Sequence, residues 1–143
     1  MRKLNKQSQK MYYALQNENQ YPVYERDEHG EIVYKNVGGK RIPVKTGTHV
    51  RGYDEPVEFF NGITGELTEA DIEAFGINDS KGHAKMTYPS GTYPFKEGTL
   101  VWKKSEVKYI DGRIDEKSAD YTIMAVRDED LNVWSCLLKK VLK

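Results

Sequence analysis

The sequence predicts a mainly β protein: a small β-barrel with one short helix, an extended N-terminal arm and a long loop. Short β-prone runs separated by turn residues recur along most of the chain. One stretch alone has the apolar spacing and capping residues of a helix. The last two strand-like runs are apolar on both faces, as in a closed sheet. We therefore expect an arm over residues 1–20 and a single barrel domain over residues 21–143, with the long loop at about 36–56.

The first half of the chain is expected to contain short strands, one hairpin and the long loop. "MYYAL" and "YPVYER" are β-prone, and "DEHGE" supplies turn residues before "IVYKNV", which predicts a hairpin over Val23–Val37. "GGKRIPVKTGTHVRGYDEP" is rich in Gly and Pro and has little periodicity, which predicts a long loop or an extended arm. Strand character resumes at "VEFFNGI".

The stretch "LTEADIEAFGI" carries the helix signal. Thr68 can accept hydrogen bonds from the first-turn backbone N–H groups, and Glu69 and Asp71 lie where the helix dipole favours negative charge. Gly76 can end the helix in the left-handed conformation. Two turns cannot form a stable helix alone. Its narrow apolar side consists of Leu67, Ile72 and Phe75.

More strands are expected in the second half, at "AKMTY", "FKEG", "TLVWKK" and "EVKYIDGRI", with a turn at "PSG" and a tight turn at Asp111–Gly112. The final pair is "DYTIMAVR" and "LNVWSCLLKK", joined by the acidic turn "DED". Simple alternation places Tyr121, Ile123 and Ala125 on one face of the first strand and Thr122, Met124 and Val126 on the other.

Neither face of this terminal hairpin is cleanly polar. A strand that is apolar on both faces is covered on both faces. In a small β-rich domain the sheet closes into a barrel, and a helix, an arm or a neighbouring subunit lies on the outside. We therefore expect the hairpin to be a core element whose outer face needs a partner.

The charges are segregated along the chain, although 22 basic and 22 acidic residues cancel. Arg2, Lys3, Lys6 and Lys10 give the first eleven residues a charge of +4. Asn36–Gly52 holds Lys40, Arg41, Lys45 and Arg51 and no acid, whereas Asp54–Asp79 holds eight acids and no Lys or Arg. The hydrophobic fraction is 38%, which indicates extensive loop or a thin core completed by neighbours. These alternating blocks favour complementary docking between copies or partners.

No pattern predicts an enzyme, a metal site or a cofactor. His29, His49 and His83 are isolated from one another, without the paired spacing of a zinc site. The single cysteine, Cys136, lies in an apolar run, where burial raises the pKa of a thiol and suppresses its reactivity. No run approaches the roughly 20 apolar residues of a membrane span, so we expect no membrane partner. We expect no catalytic residue, no metal ligand and no cofactor.

A single-stranded nucleic-acid-binding β-barrel is the alternative function. Such proteins combine exposed aromatic rings with a basic groove. The chain has ten tyrosines and a basic stretch over Asn36–Gly52 that could contact phosphates. The neutral overall charge and the position of most aromatic residues within apolar runs argue against a dedicated binder.

The order of features resembles small virion proteins from tailed phages and prophages of Gram-positive bacteria. The features are "MYYAL", "PVYERDEHGEIVYKNVGGKRIPVKTG", "YDEPVEFFNGI", a short acidic helix ending in "FGI", "GTLVWKKSEV" and "SADYTIMAVRDEDLNVWSCLLKKV". From Val57 onward the chain is similar to the head-closure, or stopper, type of head–tail joining protein. The first 55 residues extend beyond the shorter stopper domains.

This resemblance implies a structural protein of the phage neck. Copies of a β-barrel would form a homo-oligomeric ring that closes the DNA-filled head, lies between the portal or adaptor and the tail-terminator or tail proteins, and can contact packaged DNA without sequence preference. The protein would be assembled in the host cytoplasm and located in the virion. A ring needs two different complementary patches on each subunit. The residues expected to make these contacts are Arg2, Lys3, Lys6, Lys40, Arg41, Lys45, Arg51, Glu66, Glu69, Asp71 and Glu73.

Overall fold

A computed structural model describes residues 9–78 and 81–142 of the chain. It divides into two compact units. The sheet unit comprises the chain up to Gln16 together with Tyr53–Lys143, and the hairpin unit comprises Asn17–Gly52. The strands are β1 (Gln9–Ala14), β2 (Gln16–Tyr24), β3 (Tyr34–Val37), β4 (Lys40–Pro43), β5 (Lys45–Tyr53), β6 (Val57–Asn61), β7 (His83–Pro89), β8 (Leu100–Trp102), β9 (Tyr109–Ile110), β10 (Arg113–Ile114), β11 (Tyr121–Arg127) and β12 (Val133–Lys140). The helix α1 spans Glu69–Phe75, and a 3-10 turn spans Glu116–Ser118.

The sheet unit is built on a curled, antiparallel six-stranded sheet in the order β6-β1-β8-β11-β12-β7. Its two edges approach each other just after β6. Thr64 forms a bridge with Lys85 of β7, and the Asn61 side chain donates a hydrogen bond to the carbonyl of Thr87 at 3.2 Å. The result is a half-barrel, which confirms the predicted mainly β, barrel-like fold with one short helix.

Five aromatic rings form the centre of the core inside this half-barrel. The ring of Phe95 lies 5.0 to 5.6 Å, centroid to centroid, from the rings of Tyr13, Phe59, Tyr88 and Tyr93. The Tyr93 pair is stacked and the other three are edge-to-face, and both arrangements add to the stabilisation that comes from burying the rings. The buried aliphatic and sulfur-containing side chains around them are Met11, Ala84, Met86, Val101, Ile123, Cys136 and Leu138.

A second, smaller apolar cluster covers the other face of β8. Leu100 and Trp102 point away from Val101 because side chains alternate along a strand, and all three are fully buried. Trp102 donates from its indole Nε1 to the hydroxyl of Ser118 at 3.0 Å. β8 is therefore covered on both faces by the chain itself.

Helix α1 forms as predicted. The Thr68 hydroxyl accepts a hydrogen bond from the Asp71 backbone N–H, and the Asp71 carboxylate accepts one from the Thr68 N–H, which together make a capping box. Gly76 ends the helix at φ 69°, in the left-handed region that glycine adopts at low cost. The apolar residues Leu67, Ile72 and Phe75 are half-buried.

Helix α1 is joined by a salt bridge to the outer face of β7, the strand that pairs with β12. Lys85 of β7 is directly opposite Leu137 of β12, so their side chains share one face. The ammonium of Lys85 donates to both oxygens of Asp71 in α1, at 3.0 and 2.9 Å. Leu137 is 2% exposed on this face, while Cys136 and Leu138 are buried on the other. The prediction that the terminal hairpin is covered on both faces is confirmed for the centre of β12, and its cover belongs to the same chain.

The predicted alternation along β11 is wrong after Ile123. Ile123 pairs with Leu138 and Ala125 pairs with Leu137, so Met124 is an extra residue in a β-bulge. The bulge places Ile123 and Val126 together against the core, and Met124 is exposed. The tight turn at Asp111–Gly112 agrees with prediction, since both residues have positive φ between β9 and β10.

The structure corrects the predicted N-terminal arm. Residues 9–14, inside the range 1–20, form β1 between β6 and β8, with Met11 and Ala14 fully buried. Met11 and Tyr13 contribute to the aromatic core while Ala14 contributes to the other cluster, so this short run is buried on both sides. Residues 1–8 lie outside the described residues.

The long loop predicted at about 36–56 is also corrected, because most of it forms strands. β3 pairs with β4 through a turn at Gly38 and Gly39, and β2 pairs with β5. The hairpin predicted over Val23–Val37 is present only around its turn, where Arg26 bridges Ile32 and the Asp27 carboxylate accepts the N–H groups of His29 and Glu31. The strands on either side pair elsewhere, β2 with β5 and β3 with β4. Because the hydrogen bonds of β2 and β3 go to partners further along the chain, local periodicity alone did not reveal them.

Candidate functional site

The three histidines lie on different elements. His29 is in the β2–β3 turn, His49 is on β5, and His83 begins β7, where its ring contacts the carbonyl oxygen of Lys81 at 3.1 Å. Within residues 9–78 and 81–142, no group of three or more His, Cys, Asp or Glu side chains is arranged to hold a metal ion. Cys136 is fully buried, as predicted, and burial raises the pKa of its thiol to about 12. The candidate functional sites among the described residues are therefore exposed surfaces that could bind a partner.

The hairpin unit carries four of the basic residues predicted to bind partners. Lys40 and Arg41 are on β4, Lys45 and Arg51 are on β5, and all four are exposed. The Arg41 guanidinium lies 4.3 Å from the centroid of the Tyr34 ring. Arg51 donates to the Asn17 carbonyl at 3.0 Å. Lys40 and Lys45 form no ion pair with any described residue, so their charges face solvent. The other predicted basic residues, Arg2, Lys3 and Lys6, lie outside the described residues.

One face of the β3–β4 hairpin carries two apolar and two basic side chains. Lys35 is opposite Ile42 and Val37 is opposite Lys40, so these four side chains share a face. Val37 is 49% exposed and Ile42 is 37% exposed. We call this set the β3–β4 face. Exposed β-branched side chains beside lysines are suited to a partner that offers apolar groups and carboxylates.

The four acidic residues predicted to bind partners divide into two groups. Glu66, Glu69 and Glu73 are exposed around α1 and make no ion pair with another described residue. Asp71 is different, because its carboxylate caps the helix and pairs with Lys85 in a half-buried salt bridge. The hydrogen bond from Lys85 is the main cause that lowers the pKa of Asp71. Asp71 thus stabilises the fold and is not available to a partner, while the three glutamates form an acidic surface.

A cleft lined by three lysines was missed by sequence reasoning. It has a volume of about 300 Å³ and lies beside the end of β8, the start of β11 and the end of β12. Its lysines come from two Lys-Lys pairs, one directly after β8 and one at the end of β12. A Lys-Lys pair at the end of an apolar run is the sequence signal that could have indicated the cleft. We call it the lysine cleft, and it is lined by Lys103, Lys104, Asp120, Tyr121, Lys140 and Val141.

Asp120 fixes one wall of the lysine cleft. Its Oδ2 accepts the backbone N–H groups of Lys103, Lys104 and Ser105 at 2.7, 2.8 and 3.0 Å, and its Oδ1 accepts the Ser105 hydroxyl at 2.7 Å. Burial alone would raise the pKa of Asp120, but the hydrogen bonds from Ser105, Lys104 and Lys103 outweigh it and lower the pKa to about 2. The carboxylate is therefore ionised at neutral pH and holds the lysine-bearing segment in one conformation.

Comparisons with known proteins identify no relative of the chain. No helix in the described part of the chain is both long and apolar enough to cross a membrane. The chain matches no protein-family model, no curated protein and no solved structure in the comparisons made.

Proposed function

We propose that the chain is a non-enzymatic structural protein of the phage neck, a stopper or closely associated head-completion component. Copies would form a ring at the head–tail interface, close the DNA-filled head, and bind the portal or adaptor on one side and the tail terminator or tail on the other. The proposal assigns no catalytic residue, metal or cofactor. It starts from the resemblance of the sequence to head–tail joining proteins, and the surfaces of the hairpin unit support it.

The observation that carries the proposal is that the hairpin unit has ordered strands but no buried side chain. Gly52 is the one buried residue in Asn17–Gly52. Ordering a residue costs roughly 1–2 kcal/mol of backbone entropy, and isolated two-stranded hairpins are marginal in water. Val37 and Ile42 on the β3–β4 face offer apolar area that a neighbouring subunit can cover. A unit of this kind is completed by assembly.

Charge complementarity supports a neighbour that is itself a copy of the chain. Residues 32–53 contain no acid and five basic residues, namely Lys35, Lys40, Arg41, Lys45 and Arg51. The acidic surface around α1 presents Glu66, Glu69 and Glu73 to solvent. Each copy therefore offers one basic and one acidic surface, which are the two different patches that a closed ring requires.

Charged substitutions on the β3–β4 face test the proposal. We expect the double variant Val37→Asp, Ile42→Asp to abolish incorporation of the chain into purified particles, because two carboxylates would have to be buried in an apolar contact. The thermal midpoint of the sheet unit should stay within a few degrees of the wild-type value, since both side chains are exposed. Mass spectrometry of purified particles measures incorporation, and circular dichroism measures the midpoint.

A matched control is Tyr109→Asp, which places a carboxylate at an exposed apolar residue of the sheet unit. We expect this variant to be incorporated normally. The proposal is overturned if the wild-type chain is a strict monomer that is absent from purified particles. It is also overturned if the Val37 and Ile42 variant is incorporated as well as the wild type.

The second candidate function is single-stranded nucleic-acid binding, and the lysine cleft together with the basic strands of the hairpin unit favours it. Three tyrosines are withdrawn from such binding, because Tyr13 and Tyr88 are buried in the aromatic core and Tyr93 is partly buried against it, while Tyr34 and Tyr109 remain exposed. Such binding would weaken steeply with added salt. A flat titration of oligonucleotides at low salt would remove this candidate.

A further inference from the structure

The two ends of the terminal hairpin carry opposite charge. The turn between β11 and β12 contains Asp128, Glu129 and Asp130, whereas the lysine cleft lies at the other end of the same two strands. With a rise of about 3.3 Å per residue, the seven residues of β11 separate these ends by roughly 20 Å. The acidic turn therefore cannot enter the lysine cleft of its own chain.

The lysines of the lysine cleft are not neutralised by acidic side chains among the described residues. Lys103, Lys104 and Lys140 form no ion pair with any described residue, and Lys104 and Lys140 are exposed. The carboxylate of Asp120 is occupied by three backbone N–H groups and one hydroxyl, so it does not pair with these ammonium groups. Because Asp120 holds the segment that bears Lys103 and Lys104, little order has to be gained when a ligand binds.

The acidic turn is also held in place, and three of its side chains face solvent. Asp130 accepts the N–H groups of Asn132 and Val133 through its carboxylate, and its carbonyl accepts the indole N–H of Trp134 at 2.8 Å. Ser90 donates its hydroxyl to the Leu131 carbonyl at 2.6 Å. Leu131 is nonetheless 91% exposed. The other two free side chains of the turn are Asp128 and Glu129, which are exposed.

We propose that the acidic turn of one copy inserts into the lysine cleft of the next copy. Asp128 and Glu129 would pair with Lys104 and Lys140, and Leu131 would cover apolar area beside Val141. This inference deepens the proposed function and rests on it, because a contact between two different surfaces of identical chains is the contact that builds a ring. Exposed ion pairs contribute little individually, so the contact is weak for free chains and gains strength when neighbours hold the copies together.

Charge reversal on each surface tests the contact. The cleft variant Lys104→Glu, Lys140→Glu has an acidic turn and an acidic cleft, and the turn variant Asp128→Lys, Glu129→Lys has a basic turn and a basic cleft. Sedimentation velocity at low ionic strength measures self-association. We expect each variant alone to associate at least about tenfold more weakly than the wild type, since attraction at two ion pairs becomes repulsion.

Mixing the two variants should restore association, because the acidic turn of one then meets the basic cleft of the other. The fourfold variant that reverses both surfaces should also associate with itself. A matched control is Lys96→Glu, Lys108→Glu, which reverses two exposed lysines outside the lysine cleft and should leave association unchanged. Association in all cases should fall as salt is added.

Disulfide trapping tests the geometry of the same contact. A Glu129→Cys chain mixed with a Lys140→Cys chain should form a covalent heterodimer under mild oxidation. A Lys96→Cys chain in place of the second partner should not. The native thiol of Cys136 is buried and does not compete.

The possible outcomes separate this inference from the proposed function. If the wild type associates but the charge variants associate equally well and no heterodimer is trapped, the head-to-tail contact is wrong while a ring built on the hairpin unit stands. If the cleft variant loses binding to a single-stranded oligonucleotide but keeps self-association, the lysine cleft binds nucleic acid and the inference is overturned. If the wild type neither associates nor enters particles, the proposed function itself fails.

Discussion

Replacing Phe95 with alanine is expected to lower the free energy of unfolding by about 4 kcal/mol. The Phe95 ring packs against four other aromatic rings, of Tyr13, Phe59, Tyr88 and Tyr93, within 5.6 Å between centroids. Its removal leaves a cavity that four rigid rings cannot close, so both buried area and ring contacts are lost. Urea denaturation followed by tryptophan fluorescence gives the free energy.

Two further phenylalanine variants serve as a control and as an intermediate substitution for this prediction. Phe60 is 59% exposed, so Phe60→Ala should change the free energy of unfolding by no more than about 0.5 kcal/mol. Phe95→Leu leaves a smaller cavity and should give an intermediate loss, which provides a value even where the alanine variant fails to fold. A loss below about 1 kcal/mol for Phe95→Ala would show that the aromatic cluster is not the centre of the core.

Replacing Asp120 with alanine is expected to lower the free energy of unfolding by about 3 kcal/mol. The substitution leaves the N–H groups of Lys103, Lys104 and Ser105 and the Ser105 hydroxyl without their acceptor. Hydrogen bonds to an ionised carboxylate are stronger than those between neutral groups. Ser105→Ala removes one donor and should cost only about 1 kcal/mol. Equal effects of the two substitutions would contradict a carboxylate-centred network.

The same network makes stability depend on pH in acid. Hydrogen bonds lower the pKa of Asp120 to about 2 in the folded chain, against an ordinary value of 3.8. A lowered folded-state pKa means that the contribution of Asp120 is fully present above about pH 4 and is lost as the pH falls toward 2. The difference in stability between the wild type and Asp120→Asn should therefore shrink over that window. A constant difference from pH 6 to pH 2 would contradict this assignment.

The sequence was sufficient wherever the determinants of structure are close together in the chain. Thr68, Asp71 and Gly76 cap α1 through groups no more than four residues away, so the helix could be predicted with its ends. The turn at Asp111–Gly112 is local in the same way. The double apolar pattern of β12 also predicted correctly that both of its faces are covered at Cys136–Leu138.

The sequence was insufficient where pairing between distant strands decides the result. The bulge at Met124 depends on how β11 pairs with β12, and no residue in β11 signals it. The prediction places residues 9–14 in the N-terminal arm even though "MYYAL" is β-prone, yet they form a strand that pairs with β6 and β8. Asp71 was predicted to bind a partner, but its carboxylate pairs with Lys85, which lies 14 residues away in the sequence.

Among the candidate surfaces, too, those formed by residues close in sequence could be predicted and those formed by distant residues could not. Lys40, Arg41, Lys45 and Arg51 could be identified as one basic block because they are close in sequence. For the lysine cleft the sequence offers only the two Lys-Lys pairs, since Lys104 and Lys140 are brought to one cleft by the neighbouring strands β8, β11 and β12. The exposed β3–β4 face likewise requires the register that places Val37 and Ile42 on one side.

Hydrogen–deuterium exchange of the isolated chain and of assembled particles tests most directly whether neighbours complete the hairpin unit. We predict that amides in residues 17–52 exchange rapidly in the isolated chain and become protected on assembly, while amides at Cys136–Leu138 in the core are protected in both states. Equal protection of residues 17–52 and of Cys136–Leu138 in the isolated chain, or no gain in protection on assembly, would contradict the account.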